Sequence, residues 1–332
     1  EIDIFGGTRR NVEASEADIQ AAVEDRRDVL VSLAAEIGTD YITLRGVQQQ
    51  IAIARNNLAS QKHTAEITRK RYEAGYVGRL DVTNAESQVA TTASQIPVLE
   101  SSAQSTIYNL SVLLGLPPAS LEQELTVEGL VPATPPEVPV GLPSDLLRRR
   151  PDIRRAEAQI HAATARIGVA TADLFPKFSL TGSFGFSSSD LATFASWGSR
   201  AWSFGPTVTW PIFNAGKIRS NIEVQNALEE QSLIGYQKTV LVALKDVETA
   251  LVSYAKEQQH RTALMEVVTH DRKAVELAMT LYTAGKTDFL NVLTAQRSLY
   301  LSENALAQST SNVAIDLVAL YKGLGGGWEK ER

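Results

Sequence analysis

The lack of cysteine and the positions of the histidines and carboxylates limit which reactions or metal sites this chain can support. The sequence has no Cys, which excludes disulfides, thiolate metal ligands and a Cys nucleophile. Its histidines fall in no HExxH motif and at no pair spacing typical of metal ligands; they are His63, His161, His260 and His270. No GxSxG, phosphate-loop or paired-carboxylate pattern occurs either. We therefore predict that the chain is not an enzyme, holds no metal or cofactor, and exposes its histidines on helices.

Two other clusters raise the question of anion binding. Gly325–Gly327 has the composition of a phosphate loop, but no Lys-Ser or Lys-Thr follows it, which favours a helix terminus. Five arginines lie within residues 148–155, and we interpret them as a solvated patch balanced by Asp145, Asp152 and Glu157. The net charge of −6 argues against a nucleic-acid partner.

The prolines show where long helices are possible. The length of 332 residues alone suggests two or three globular domains. None of the 12 prolines lies before residue 97 or after residue 211, and eight fall between Pro117 and Pro151. Because proline breaks helix interiors, residues 8–74 and 217–284 are free to form helices of roughly 100 Å each.

Both stretches carry a seven-residue apolar repeat, which predicts long antiparallel coiled-coil helices. In the second stretch the apolar steps alternate between four and three residues, at Val240, Leu244, Val247, Leu251 and Tyr254. The first stretch has one apolar seam, at Leu30, Ile37, Leu44, Ile51, Leu58, Ala65 and Tyr72. Its other seam is polar and is expected to face solvent or a polar partner, at Gln48, Arg55, Lys62 and Arg69.

A shift of 210 residues relates the two stretches. Tyr72–Gly75 corresponds to Tyr282–Gly285, and further matches continue along more than 100 residues. Similarity at a fixed period indicates an internal repeat. Each repeat is predicted to consist of a long helix, a glycine turn and a return helix that ends at Gly115 or Gly323.

Residues 176–213 change from a helical period to a period of two. They predict two strands with apolar side chains on one face and small polar ones on the other. This pattern suits transmembrane β-barrel strands or a soluble hairpin with one buried face, and its aromatic content favours the barrel. Several chains would have to contribute strands, because one hairpin cannot close a barrel. The predicted lipid-facing residues are Phe178, Leu180, Phe184, Phe186, Trp202, Phe204, Val208 and Trp210.

The segments form a simple order along the chain. Residues 1–5 alternate like the end of a strand and begin without Met, so we expect a processed or truncated piece. The predicted segments are a strand end (1–6), the first repeat with its turn at 75–79 (7–116), a Pro-rich connector (117–150), a helix (151–175), the β-hairpin (176–213), the second repeat with its turn at 285–288 (214–324) and a tail (325–332).

Several segments together resemble the TolC family of outer-membrane channels, in particular its NodT-like branch. The segments that carry the resemblance are Arg149–Glu157, Ala165–Ala170, Arg71–Gly75, Ala295–Leu299 and Leu320–Trp328. The resemblance implies a mainly α fold with a small β part, in which three protomers form a periplasmic α-barrel and a 12-stranded transmembrane β-barrel. It also implies that an N-terminal helix and strand precede residue 1 and that the mature protein lies in the Gram-negative outer membrane, with a lipid anchor possible on an upstream Cys.

The resemblance assigns a periplasmic gate at the two turns. It implies a Tyr–Asp link between Tyr282 and Asp81, with simple packing and helix capping as the alternatives for these residues. A basic partner of the family falls at Thr287, which leaves adjacent Lys286 as a substitute. Positions that are often acidic in the family are Asn291 and Thr294, and an apolar constriction residue is Leu290. The turn residues expected to contact an adaptor are Gly75, Val77, Gly78, Arg79, Leu80 and Gly285.

The function implied is that of a passive export duct. The protein would act as a homotrimer in contact with outer-membrane lipid, a periplasmic adaptor and an inner-membrane pump of the RND type, and would export drugs or other small molecules. Type I protein secretion is the alternative within the same class. A periplasmic coiled-coil scaffold would explain the heptads but not the aromatic hairpin.

Overall fold

Four long helices dominate the computed structural model, which describes residues 1–135 and 149–326. Helix α1 spans Gly7–Glu73 and α2 spans Arg79–Leu113, continuing through Pro97. After the β-hairpin, α5 spans Lys217–Thr283 and α6 spans Phe289–Gly323. The first helix of each pair has 67 residues and the second has 35, so the two pairs match in length as the internal repeat predicts.

Shorter elements separate the two helix pairs. They are α3 (Glu122–Leu125), α4 (Pro151–Ala172), β1 (Lys177–Phe186) and β2 (Arg200–Thr209), with single 3-10 turns at Leu191–Thr193 and Trp197–Ser199. Helix α4 begins at Pro151, where the missing N–H costs no helical hydrogen bond. No described helix contains an apolar stretch able to cross a bilayer.

Glycines in the left-handed conformation delimit both repeats. Gly6 and Gly216, 210 residues apart, precede α1 and α5 with φ of 83° and 84°. Two residues after each return helix ends, a left-handed glycine follows: Gly115, with φ of 73°, and Gly325, with φ of 96°. The second return helix ends at Gly323 as predicted, but Gly323 is still helical and lies against Val247, so the left-handed glycine is Gly325 instead. The 210-residue shift itself relates Gly115 to Gly325.

Contacts divide the described chain into two compact units. Residues 1–29 and 149–243 form the first unit. Here the start of α1 packs on α4 through small residues, and a Cβ at Gly168 would come within 2.9 Å of Arg10 Cγ. The buried alanines of this packing are Ala14, Ala17, Ala21, Ala158, Ala162 and Ala165. Such residues let two helix backbones approach closely.

The arginine segment was predicted to be a solvated patch, which is wrong for Arg150 but right for exposed Arg149 and for Asp152 as a balancing carboxylate. Arg150 is buried, and its guanidinium donates to both carboxylate oxygens of Asp152 at 3.0 and 2.7 Å. Arg155 reaches Asp25 and Asp28 on α1. Arg155 therefore joins α4 to α1, whereas the Arg150 pair lies at the start of α4 itself. Asp145 and Arg148 lie outside the described residues.

The second unit comprises residues 30–135 and 244–326. One of its cores is built from Leu44, Ile51, Ala103, Ile107, Leu110 and Leu125. Gln48 Nε2 donates to the Leu125 carbonyl at 2.7 Å, and Arg45 donates to the Val127 carbonyl at 2.6 Å. Arg55 pairs with Glu100, and Arg69 pairs with Glu86 on α2. The polar seam of α1 thus has polar partners at three of its four positions, whereas Lys62 is exposed.

The two strands pair antiparallel, with Phe184 opposite Trp202 and Ser183 opposite Ser203. All predicted apolar strand residues from Phe178 to Val208 share one face in this register, and that face is largely exposed. The other face is small and polar, with the hydroxyls of Ser183 and Ser203 at 2.8 Å. The predicted strand end at the N-terminus is a single bridge, from the Ile2 N–H to the Phe178 carbonyl at 2.8 Å.

Candidate functional site

The helix pairs of the second unit turn at residues 74–78 and 284–288. Each turn together with the adjoining ends of its two helices, residues 65–85 and 275–295, is here called the first tip and the second tip. Gly75 and Gly285 sit in left-handed conformations with φ of 78° and 72°. The Tyr76 N–H donates to the Arg71 carbonyl, and the Lys286 N–H donates to the Leu281 carbonyl, both at 2.8 Å. These bonds end α1 and α5 with the same glycine motif.

One hydrophobic cluster joins the two tips. Its buried members are Ala85, Tyr282, Phe289, Val292 and Leu293. Val77, Ala65 and Ile67 of the first repeat pack against it. Since both repeats contribute, movement of one tip relative to the other would have to disrupt this cluster.

Tyr282 is the centre of the cluster, with 1% of its surface exposed. Its ring meets Phe289 edge to face, with the centroids 5.8 Å apart. Its hydroxyl donates to Thr68 Oγ1 at 3.2 Å, and the Thr68 hydroxyl donates to the Thr64 carbonyl. Because a phenol has one hydrogen to donate, the expected donation from Tyr282 to Asp81 is not made within this chain.

Asp81 lies in the first turn of α2 and is half-buried. Gly78 occupies the N-cap position of this helix, so the alternative prediction that Asp81 caps it was wrong. A carboxylate in the first turn is still favourably placed toward the positive end of the helix dipole.

Arg71 is a residue at this site that the sequence analysis missed. It donates from Nη1 to the carbonyl oxygens of Tyr282 and Thr283, the latter at 3.2 Å. Its guanidinium carbon also lies 4.6 Å from the centroid of the Tyr282 ring. The available signal was the repeat itself, in which Leu281 occupies the place of Arg71.

The predicted gate residues of the second tip lie mainly along one edge of α6. Leu290 is 64% exposed, and Asn291 and Thr294 are exposed beside it. Asn291 Nδ2 donates to Thr287 Oγ1 at 2.7 Å, and the Thr294 hydroxyl donates to the Leu290 carbonyl at 2.8 Å. Lys286 is exposed, while the cation that contacts Tyr282 is Arg71. This edge offers one apolar and several neutral polar groups.

The predicted adaptor-contacting residues are mostly at the surface. Leu80, Arg79, Gly75 and Gly78 are exposed, as is Gly285 of the second tip. Val77 is half-buried because it packs against the cluster. Tyr76, which the sequence analysis did not select, is also strongly exposed.

Further buried polar contacts join α1 to α6 away from the tips. Gln296 Nε2 donates to Thr64 Oγ1 at 2.9 Å, and Asn57 Nδ2 donates to Glu303 Oε2 at 3.1 Å. Arg272 of α5 pairs with the same carboxylate at 2.9 Å. This interface is therefore held by specific hydrogen bonds as well as by apolar packing.

The histidines are exposed on helices, as predicted. His161 contacts Glu13 at 2.9 Å and His260 contacts Glu257 at 3.3 Å. Hydrogen bonds from His161 and Arg10 lower the pKa of Glu13. Within residues 1–135 and 149–326, no group of three or more His, Cys, Asp or Glu is arranged to hold a metal ion.

Comparisons with known proteins agree with this architecture. The model of the family "Outer membrane efflux protein" matches residues 1–116 and 142–326. Nodulation protein T of Rhizobium leguminosarum bv. trifolii is 33% identical over 324 residues, covering 98% of this chain and 69% of that protein. The toluene efflux pump outer membrane protein TtgF of Pseudomonas putida is 32% identical over 329 residues, covering 99% and 68%. The solved outer-membrane channel OprN matches with a TM-score of 0.92 at 39% identity, covering 98% of this chain and 73% of that chain.

The chain is mainly helical, contains the two-fold repeat and matches a solved channel along nearly its whole length. It is therefore an outer-membrane channel protein. The chain belongs to the outer membrane efflux protein family, because the family model matches most of its length. Its location is the outer membrane, and its activity is efflux.

Proposed function

We propose that three copies of this protein form one continuous duct across the periplasm and outer membrane, as the channel of a tripartite efflux system. A periplasmic adaptor docks at the tips, and an inner-membrane pump of the RND type supplies the energy. The observation that carries this proposal is the pairing of an exposed apolar β-hairpin with two long helical hairpins that meet at their tips.

The β-hairpin supports the trimer because it cannot exist alone in a membrane. A two-stranded sheet leaves unpaired backbone groups at both edges, which is costly in lipid. In a 12-stranded barrel each protomer contributes four strands, and the bridge from Ile2 to Phe178 supports the pairing of another strand with β1. The apolar face, including Phe184, Trp202 and Phe204, then contacts lipid, while the serine and threonine face lines water.

The helices form the periplasmic α-barrel, and the second tip lines its narrow end. Leu290, Asn291 and Thr294 carry no charge, so this constriction limits passage by size and apolar character. The exposed residues of the tips, Leu80 and Tyr76 among them, form the surface for the adaptor.

The exported compounds are small molecules. The similar protein TtgF is a component of a toluene efflux pump, and this supports efflux of small apolar compounds by the present chain. The chain itself acts passively: it offers a path and uses no catalytic group. Export of proteins by type I secretion is the alternative function, and the test below distinguishes the two.

The full-length protein, expressed in a Gram-negative host that lacks its own efflux channels, tests this proposal. We expect it to fractionate with the outer membrane, to require detergent for extraction as a trimer, and to conduct ions in planar bilayers. Co-expression with an RND pump and adaptor should lower the accumulation of a fluorescent small-molecule substrate. A monomer that remains in solution without detergent would refute the duct and favour the periplasmic scaffold. Restored secretion of a type I protein substrate without any change in dye accumulation would instead favour protein export.

A further inference from the structure

Arg71 joins the last turn of α1 to the end of α5. We infer that it is a positioning residue of the gate, whose guanidinium clamps the second tip against the first repeat and favours the closed duct. This inference rests on the proposed function, since it assigns Arg71 a part in opening and closing that duct.

The clamp acts first on the backbone of α5. Nη1 of Arg71 donates to the carbonyl oxygens of Tyr282 and Thr283, the last two residues of the helix. Carbonyl groups in a last helical turn lack intrahelical partners and form the negative end of the helix dipole. A cationic donor bonds such oxygens more strongly than a neutral one does. The Tyr282 carbonyl also accepts from the Gly285 N–H at 2.9 Å, so the first repeat adds a charged donor to a helix end that the glycine motif already closes.

The clamp acts also on the side chain of Tyr282. The guanidinium lies over the face of the Tyr282 ring, 4.6 Å from its centroid, within the range of a cation–π contact. The ring is buried and contacts Phe289, the first residue of α6. A single side chain therefore fixes the end of α5 and, through Tyr282, the start of α6.

The hydrogen bonding of Arg71 is incomplete within the described residues. Its Nε is buried and has no hydrogen-bond partner within residues 1–135 and 149–326. A buried N–H without an acceptor raises the free energy of the state that contains it. The clamped arrangement is consequently less stable than a fully bonded one would be.

The clamp is one-sided. The 210-residue shift places Leu281 at the position of Arg71, and Leu281 is exposed. The second repeat therefore has no cation at the position equivalent to Arg71. Release of the clamp should free the second tip, which carries Leu290, Asn291 and Thr294.

Single-channel recording of the full-length trimer in planar bilayers tests this inference with Arg71→Ala and Arg71→Lys. Arg69→Ala is the matched control, since Arg69 lies two residues away and pairs with Glu86 at the surface. We expect Arg71→Ala to raise the ratio of open to closed time by about tenfold, as loss of a partly buried, charged hydrogen bond would. Arg71→Lys should give a smaller rise, because an ammonium keeps the charge but not the planar fork. Arg69→Ala should match wild type.

Two results would overturn the inference. One is an Arg71→Ala trimer with wild-type gating; the other is an equal rise in Arg69→Ala. If Arg71→Ala does not assemble, Arg71→Gln takes its place in the same recordings, and wild-type gating there overturns the clamp equally. A wild-type trimer that conducts no ions would refute the proposed duct itself, whereas a conducting wild type with unaltered variants refutes only the clamp.

Discussion

The first and second tips have the same backbone but different surroundings. Gly75 and Gly285 adopt φ of 78° and 72°, and each is the left-handed glycine that follows a 67-residue helix. Yet Tyr72 is 42% exposed, whereas Tyr282 is 1% exposed. The comparison shows that local sequence determines the backbone of the turn, while neighbouring helices determine how deeply the adjacent tyrosine is buried.

Three replacements within the repeat account for much of the difference. Relative to the first repeat, the second has Phe289 for Arg79, and this ring enters the cluster around Tyr282. The first repeat has Thr68 and Arg71 where the second has Ala278 and Leu281, and both of these polar residues bond to Tyr282 or its helix end. The first repeat thus supplies polar contacts to the second tip, whereas Ala278 and Leu281 cannot donate or accept equivalent side-chain hydrogen bonds for the first tip.

The sharpest test of this asymmetry is truncation of the two related tyrosines. We expect Tyr282→Ala to destabilise the protein by about 3–5 kcal/mol, the range for a buried aromatic residue, because it leaves a cavity beside Phe289. Tyr72→Ala should cost under about 1 kcal/mol, because its ring is partly solvated. The measurement is the apparent denaturation midpoint of each detergent-solubilised trimer. Equal losses would show that the assembled protein buries both tyrosines alike.

The shared backbone predicts equal, smaller effects at the two glycines. Gly75→Ala and Gly285→Ala should each destabilise by about 1–2 kcal/mol, since alanine is strained at positive φ. A Cβ at Gly285 would lie 3.7 Å from Arg71 Nη2, an ordinary contact, and at Gly75 it would meet no described atom within 4 Å. The same denaturation assay measures both. A much larger loss at one turn would mean that the assembled duct crowds that turn alone.

Removal of the hydroxyl of Tyr282 should shift the free energy of the closed state relative to the open state by about 1 kcal/mol toward opening. Tyr282→Phe deletes its donation to Thr68 and is expected to increase channel opening about fivefold in planar bilayers. Thr68→Val should act in the same direction, because it removes the acceptor of that bond. Asp81→Ala is the companion variant. If opening increases only for Asp81→Ala, the Thr68 bond does not hold the gate. That result would instead support a role for Asp81, as the family resemblance implies.

The smallest expected effect concerns an acidic pair present only in the second repeat. Burial, with Glu257 nearby, raises the pKa of Asp316; the related first-repeat positions are Thr106 and Val47. A raised folded-state pKa means that Asp316 favours folding when protonated and loses this contribution as the pH rises through the folded-state value. Asp316→Asn should therefore raise the denaturation midpoint slightly at pH 7 and not below about pH 4. A destabilised Asp316→Asn at pH 7 would contradict this assignment.

Much of the helical architecture could be predicted from particular residues. The absence of proline before Pro97 and after Pro211, the heptads, and the glycines 210 residues apart identified both long helices and their turns. The alternation from Phe178 to Val208 identified the faces of the hairpin, which the strand register confirms. The site was predicted less well: the role of Tyr282 in a gate stays a prediction, its hydroxyl bonds Thr68, and Arg71 was missed.

The sequence alone determined the elements, because helix period, strand period, proline and left-handed glycine act through neighbours a few residues away. It also determined the repeat, because its two copies can be compared position by position. Only the tertiary structure decided that Arg71 bonds the end of α5, that Thr68 accepts from Tyr282, that Arg150 is buried, and that Arg155 pairs with α1. These contacts join residues separated by up to 214 positions, or depend on burial by another helix, and no local pattern specifies such a pairing.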